Sequence, residues 1–238
     1  MIFQMLTDKF QFKFKDRKAA SEILGEILKQ RIKSPEDQRN ALVLGIPRAG
    51  VVTADIVAKK LSTVHFNVII ARKLTHPDNQ EMAIGSIMED GTCYINEKLI
   101  KEFGISSRYL EKEKLEQVKE IKRRKKLYGK ERELDFDSYV DNRIVILSDD
   151  GAATGATLIA ATTWIMKLRS TPKRLIIAIP IAPRYTVDLL KEKCEAEVET
   201  VITSSASAFH SLEQYHKNFE TVNDDAVITI MKKRGLSQ

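Results

Sequence analysis

An α/β fold with a mostly parallel twisted sheet flanked by helices is predicted by three observations. Short apolar runs alternate with helical periodicity at 41–46, 51–61 and 64–71, a strand–helix–strand order that implies parallel pairing. The apolar run 144–148 passes through small residues into an apolar helical pattern at 158–168. A third run, 174–181, is followed by a helix-like segment at 183–193 and a last sheet strand at 197–202.

The elements follow in chain order. Residues 3–14 are rich in Phe, with Phe10, Phe12 and Phe14 alternating with polar residues, and read as an extended arm that packs aromatics on the body. Residues 16–33 place Ala19, Ile23, Ile27 and Leu28 at helical spacing, and Ser34-Pro35 is expected to end that helix. The strand 41–46 meets a turn, Pro47-Arg48-Ala49-Gly50, and then a helix with Ala54, Val57, Ala58 and Leu61 inward. After the strand 64–71, the polar stretch 72–81 with Pro77 and Asn79 reads as a mobile loop. Segments 83–88 and 92–95 read as short strands joined at Glu89-Asp90-Gly91, a hairpin signal. Residues 96–103 form a short helix closed by Gly104.

Residues 105–134 differ in kind, with dense mixed charge and sparse apolar positions. They read as one long inserted helix, partly exposed, with Ser106 or Ser107 as cap, Glu111 and Glu113 early, and Lys122-Arg123-Arg124-Lys125-Lys126 near its end. That basic run is read as a solvated helix end, with a nucleic-acid patch as the competing reading. The tail 203–222 is polar and aromatic, and 224–233 is a terminal helix. The expectation is one domain over 1–238, carrying the insert and a small C-terminal hood.

Of 238 residues, 43% are hydrophobic, enough for a sizeable core. Lys and Arg outnumber Asp and Glu by 39 to 33, a balance that fits an anionic partner without choosing between nucleic acid and a phosphorylated small molecule. Cys93 and Cys194 lack metal-ligand spacing and suit a reducing compartment, and His65, His76, His210 and His216 show no metal spacing either. The longest apolar run, 175–182, is broken by Pro180, and the first residues are too short for a signal segment. A cytoplasmic protein with no membrane or nucleic-acid partner, and a homodimer, is expected.

The most informative stretch reads I-V-I-L-S-D-D-G-A-A-T-G-A-T from Ile144 to Thr157. Small residues at a strand-to-helix turn let backbone N–H groups converge at the positive end of a helix, which makes an anion site. A phosphate alone does not need Asp149 and Asp150; two carboxylates beside it suit sugar hydroxyls or a metal. A P-loop would need Lys before Thr157, and no G-x-G-x-x-G occurs. Two other loops, at 46–50 and 72–81, leave the same predicted sheet edge, where open α/β sheets bind ligands. They carry Arg48, Arg72 and Lys73, and guanidinium is a forked donor for phosphate oxygens.

Asp149-Asp150-Gly151-Ala152-Ala153-Thr154-Gly155-Ala156-Thr157 resembles the phosphoribosyl-diphosphate (PRPP) motif of type I phosphoribosyltransferases. The resemblance extends over most of the chain to a subgroup of stand-alone bacterial and archaeal proteins of unassigned acceptor. Its marks are Arg72-Lys73-Leu74 with Ala83-Ile84-Gly85, the inserted helix, and Phe209, Tyr215 and Phe219. It implies a transferase using PRPP and substrate-bound Mg²⁺, displacing pyrophosphate at the anomeric carbon by a nucleobase or related acceptor. It implies that Gly151 to Thr157 hold the 5′-phosphate, and that Asp149 and Asp150 hold the ribose hydroxyls, meeting metal through water if at all. Pro47, Arg48, Ala49 and Gly50, with Arg72 and Lys73, would face the diphosphate. Phe209 or Tyr215 would stack on the base, or else serve as hood core. Some family members carry an acid where this chain has Ala153, so Glu81, with Glu89 behind it, is the general acid/base candidate. The alternative function is a non-catalytic protein that senses PRPP or a nucleotide and binds RNA or DNA.

Overall fold

Two sheets organise the chain in the computed structural model, which describes residues 13–129, 135–205 and 208–236. The elements are α1 (Arg17–Arg31), α2 (Pro35–Asn40), β1 (Leu42–Gly45), α3 (Ala49–Lys60), β2 (Phe66–Val68), β3 (Arg72–His76), β4 (Asn79–Ile87) and β5 (Cys93–Ile95). There follow α4 (Glu97–Glu102), α5 (Ser107–Leu127), α6 (Phe136–Val140), β6 (Ile144–Ser148), α7 (Ala156–Met166), β7 (Arg174–Pro183), α8 (Arg184–Lys193), β8 (Glu197–Ser204) and α9 (Asp224–Lys233). The main sheet has the order β2–β1–β6–β7–β8 and is parallel throughout, as an α/β fold requires. A smaller antiparallel sheet, β3–β4–β5, follows β2 in the chain.

Apolar residues cover both faces of the main sheet. On one face Val43, Ile144, Ile146 and Ile176 pack with Leu24 and Leu28 of α1 and Val51, Val57 and Ala58 of α3. On the other, Leu42, Leu44, Val145, Leu147 and Ile177 meet Leu158, Ile159 and Ile165 of α7 and Leu190 of α8. Burial on both sides is why these strands read as continuous apolar runs rather than alternating ones. A third, small cluster joins Phe14, Ala20, Ile181 and Ile202 to Phe209, Leu212 and Tyr215 of the tail.

Several expectations are corrected. Residues 72–81 are not a loop: most of them form β3 and the start of β4, paired antiparallel from Arg72↔Ile87 to His76↔Asn79. They read as loop because their polar side chains meet a polar face of α5 rather than an apolar core. The Glu113 carboxylate accepts from both the amide and the hydroxyl of Thr75, at 3.1 Å each, and Tyr109 Oη donates to the Thr75 carbonyl at 2.9 Å. Ser34-Pro35 closes one helix and also opens α2: the Ser34 hydroxyl accepts from the Asp37 amide, and Pro35 takes the first helical position. The strand expected over 64–71 is only Phe66–Val68: Val64 faces solvent, the Ile69 amide makes a last bond to the Gly45 carbonyl of β1 at 3.1 Å, and Ile70 and Ala71, though buried, lie beyond the ladder. Residues 3–12 of the aromatic arm and 130–134 of the expected long helix lie outside the described residues. Phe14 is buried and pairs with His216 through an isolated parallel bridge.

The long helix α5 begins at Ser106, whose hydroxyl accepts from the Tyr109 amide, and ends at Leu127. The next residue, Tyr128, is fully buried and donates its hydroxyl to Asp224 Oδ1 at 2.6 Å. That bond ties the end of α5 to the first turn of α9. Among the described residues no helix is long and apolar enough to cross a membrane. Tyr128→Phe removes a hydrogen bond to a charged partner and should lower stability by about 1.5–3 kcal/mol, read by urea unfolding. An unchanged midpoint would show that the tie between α5 and α9 contributes nothing.

Candidate active site

The carboxyl ends of β1 and β6 lie side by side, paired in register from Leu42↔Val145 to Gly45↔Ser148. The Ile46 amide extends this by donating to the Ser148 carbonyl at 3.0 Å. The loops that follow are therefore in contact. Gly50 is required here: a Cβ on it would stand 2.6 Å from Asp149 Oδ1 and 2.8 Å from Asp149 Cα. Arg48 is exposed at the start of α3, and the Pro47–Arg48 peptide is cis.

The two acids occupy different surroundings. Asp149 accepts the Asp150 amide at 2.8 Å, and its carboxyl is raised well above the usual range. Desolvation is the larger cause, the neighbouring Asp150 carboxylate the next, and Lys73 opposes both. Asp150 instead meets a cation: Arg17 Nε donates to Asp150 Oδ2 at 2.9 Å, with the two side chains 10% and 13% exposed. Arg17 also donates to the Glu220 carbonyl at 2.9 Å and lies 4.6 Å over the Phe219 ring. One guanidinium thus joins α1, the acidic pair and the tail.

The turn after the acids is held from behind. The Ala152 amide donates to the Ile181 carbonyl at 2.9 Å, and the Ala153 carbonyl accepts from the hydroxyls of Thr186 and, at 3.1 Å, Tyr185. Gly155 caps α7 with φ 73°, a conformation that favours glycine, and so turns the chain into the helix. Among the described residues the amides of Ala153, Thr154, Gly155 and Thr157 have no protein acceptor. Four such donors at a helix N-terminus, beside Gly151 and Ala156, are an arrangement that can meet an anion. Leu212 of the tail packs directly against Gly151.

The small sheet brings the second set of cations. Arg72 Nε donates to Gln117 Oε1 of α5 at 2.9 Å. The Arg72 guanidinium is lowered, first by desolvation and then by the like charge of Arg124, with Arg48 contributing further. Lys73, next to it, is exposed. Glu81 lies exposed on β4, its amide bonded to Asn79 Oδ1. Glu89 is engaged with Lys125 at 2.9 Å. Phe209 and Tyr215 stack on each other, ring centroids 6.0 Å apart at 26°, over the third core cluster. Each ring therefore has one face already covered.

Arg17 and Gln117 bond to candidate site residues and Arg124 acts as a like charge on one of them, neighbours that sequence reasoning missed. Arg17 carries no local signal, since its partner lies 133 positions away. Gln117 and Arg124 had one: Glu113, Gln117, Glu120 and Arg124 recur at helical spacing, a polar stripe on an otherwise mixed helix.

A family model described as the phosphoribosyl transferase domain matches residues 13–216, a span containing every site residue described above except Phe219 and Glu220. The chain belongs to this family. Two Mycobacterium tuberculosis proteins, from strains CDC 1551 / Oshkosh and ATCC 25618 / H37Rv, carry provisional phosphoribosyl transferase names. Each is 29% identical over 220 residues, which is 92% of this chain and 46% of the relative. The chain therefore spans about half the length of these curated relatives. A crystal structure of a Thermus thermophilus protein is similar at 29% identity and TM-score 0.70, over 95% of this chain and all of that one.

Arg17→Met would leave the largely desolvated Asp150 without its counter-charge. Breaking a buried pair in this way should cost about 3 kcal/mol at neutral pH, read by urea unfolding. Arg17→Met/Asp150→Asn should recover most of that loss; a single variant as stable as the wild type would contradict the pairing.

Proposed function

We propose that the chain is a phosphoribosyltransferase domain that uses PRPP and transfers the phosphoribosyl group to a nitrogen acceptor. One observation carries this reading: four unpaired amides at the Gly155 helix start stand beside two acids, with Lys73 near enough to act on the charge of Asp149 and Arg48 near enough to act on that of Arg72. In this reading Gly151, Ala152, Ala153, Thr154, Gly155, Ala156 and Thr157 hold the 5′-phosphate. Asp149 and Asp150 accept the ribose hydroxyls, and the Pro47–Gly50 loop, with Arg72 and Lys73, holds the diphosphate.

In the reaction proposed, the acceptor nitrogen forms a bond to the anomeric carbon and the bond from that carbon to the diphosphate oxygen breaks. The bonding pair leaves with pyrophosphate, and the acceptor proton passes to a base. Negative charge grows on the leaving group, where fixed cations at a preorganised site are most effective. Positive charge grows on the ring, where nearby carboxylates favour it. Glu89 is engaged with Lys125, so Glu81, exposed on β4, is the base we propose.

The donor set fits Mg²⁺ carried by the substrate. Asp149 and Asp150 are adjacent carboxylates, and among the described residues no group of three or more acid, His or Cys side chains could cage a metal alone. Mg²⁺ takes few protein ligands and keeps water and phosphate oxygens. When bound, it would supply charge neutralisation at the diphosphate. Among the described residues at least three of the five cations in the basic run, Arg123, Arg124 and Lys125, are held in ion pairs within the chain, which weighs against the nucleic-acid reading.

PRPP with Mg²⁺, at roughly a hundredfold its Kd, should stabilise the domain by about 2.7 kcal/mol. That corresponds to a Tm rise of roughly 5–10 °C, which Asp150→Asn should largely abolish. Incubation with PRPP and pooled nucleobases, followed by a pyrophosphate assay, should give release that depends on one base. PRPP binding without release for any base would overturn the transferase reading in favour of a sensor.

A further inference from the structure

The inserted helix α5 has no assigned part in the site, yet one of its faces lies against the small sheet that carries Arg72 and Lys73. Its contacts run along one stripe. Glu113 holds Thr75 of β3, and Gln117 Nε2 donates back to Glu113 Oε1 at 3.2 Å. Gln117 Oε1 accepts Arg72 Nε, and Arg124 Nε donates to Glu120 Oε1 at 2.8 Å. Glu113 and Arg124 are both more than nine-tenths buried, at 6% and 8% exposure.

The charges on this stripe do not balance. Glu120 is a single carboxylate shared between Arg123, at 2.7 Å, and Arg124, and these two pull its carboxyl down to about 2. Glu113 is occupied by Thr75 and Gln117. Among the described residues, the terminal nitrogens of Arg72 and Arg124 have no protein acceptor, and Arg48 and Lys73 have no ion-pair partner. Arg124 is also the strongest like charge acting on Arg72, ahead of Arg48. The idle ends of both guanidiniums are not among the buried unpartnered atoms, so they reach solvent, where an anion can join the two like charges. Gln117 fixes Arg72 through Nε, the one nitrogen whose use leaves the two terminal nitrogens free for an external ligand.

We infer that α5 forms one wall of the diphosphate subsite: Arg124 binds the diphosphate directly, and Gln117 is a positioning residue that aims Arg72 at it. This rests on the reading that PRPP is the donor. The insert then has a specific role, since it holds β3 in place and adds a guanidinium to those of Arg48 and Arg72. The ligand class is a diphosphate carried on a sugar, as distinct from the 5′-phosphate bound at Gly155.

Calorimetric titration of the full chain with PRPP and Mg²⁺, and separately with ribose 5-phosphate, tests this. Both ligands carry the 5′-phosphate, and only PRPP carries the diphosphate. Arg124→Met should weaken PRPP roughly tenfold or more, the scale of a charge-assisted hydrogen bond, and leave ribose 5-phosphate unchanged. Gln117→Leu, which keeps every ion pair of α5, should show the same selectivity with a smaller loss. Arg124→Gln, which retains a donor towards Glu120, takes the place of Arg124→Met if the latter does not fold. Equal weakening of both ligands, or of neither, overturns the role of α5 while the donor assignment stands. A wild-type chain that binds ribose 5-phosphate and PRPP equally, or binds neither, overturns the donor assignment and this inference with it.

Discussion

The parallel pairing of β1 with β6 is the constraint on which the rest of the site depends. It brings together two loops separated by about a hundred residues of chain, and the backbone of Gly50 then lies against Asp149. Every side chain that would enlarge Gly50 would push these loops apart. Because β6 also pairs with β7, the turn after the acids is fixed a second time, through Ala152 to Ile181 and through Ala153 to Thr186. The unpaired amides and the two carboxylates therefore owe their relative placement to ladder hydrogen bonds in the sheet core, where stability is greatest. Preorganisation of this kind is what a site for a multiply charged, flexible sugar phosphate needs.

Around that frame, charge is arranged unevenly. Asp150 is matched by Arg17, which also carries the tail at Glu220 and Phe219. Asp149 has no such partner, and its carboxyl is raised. Arg72 is acted on by the like charges of Arg124 and Arg48 and by the opposing carboxylates of Glu120 and Glu113, while Lys73 acts on Asp149. In the proposed reading the ligand supplies what each half lacks: hydroxyl donors for the acids and phosphate oxygens for the cations. The tail contributes Leu212 against Gly151, so the tail and the turn after the acids share a contact.

How much of this was legible in the sequence follows from where each residue finds its partners. The strands of the main sheet were legible because both their faces are buried, which leaves unbroken apolar runs such as Leu42–Gly45 and Ile144–Ser148. The motif at Asp149 to Thr157 was legible because its residues act as one local turn. The hairpin of β3 and β4 was not, since Thr75 and Arg72 are satisfied by Glu113 and Gln117 of a helix more than thirty residues on. Arg17 was invisible for the same reason, over a longer distance. Phe209 and Tyr215 were noticed as aromatic, yet only coordinates could reveal that they stack on each other.

The central claim is that this edge binds PRPP in one orientation, and a crystal structure of the chain with PRPP and Mg²⁺ tests it most directly. The account predicts the 5′-phosphate within hydrogen-bonding distance of the amides of Ala153, Thr154, Gly155 and Thr157, the ribose hydroxyls on Asp149 and Asp150, and the diphosphate between Arg48 and Arg72. PRPP bound in the reverse orientation, or at any other surface of the chain, would contradict it.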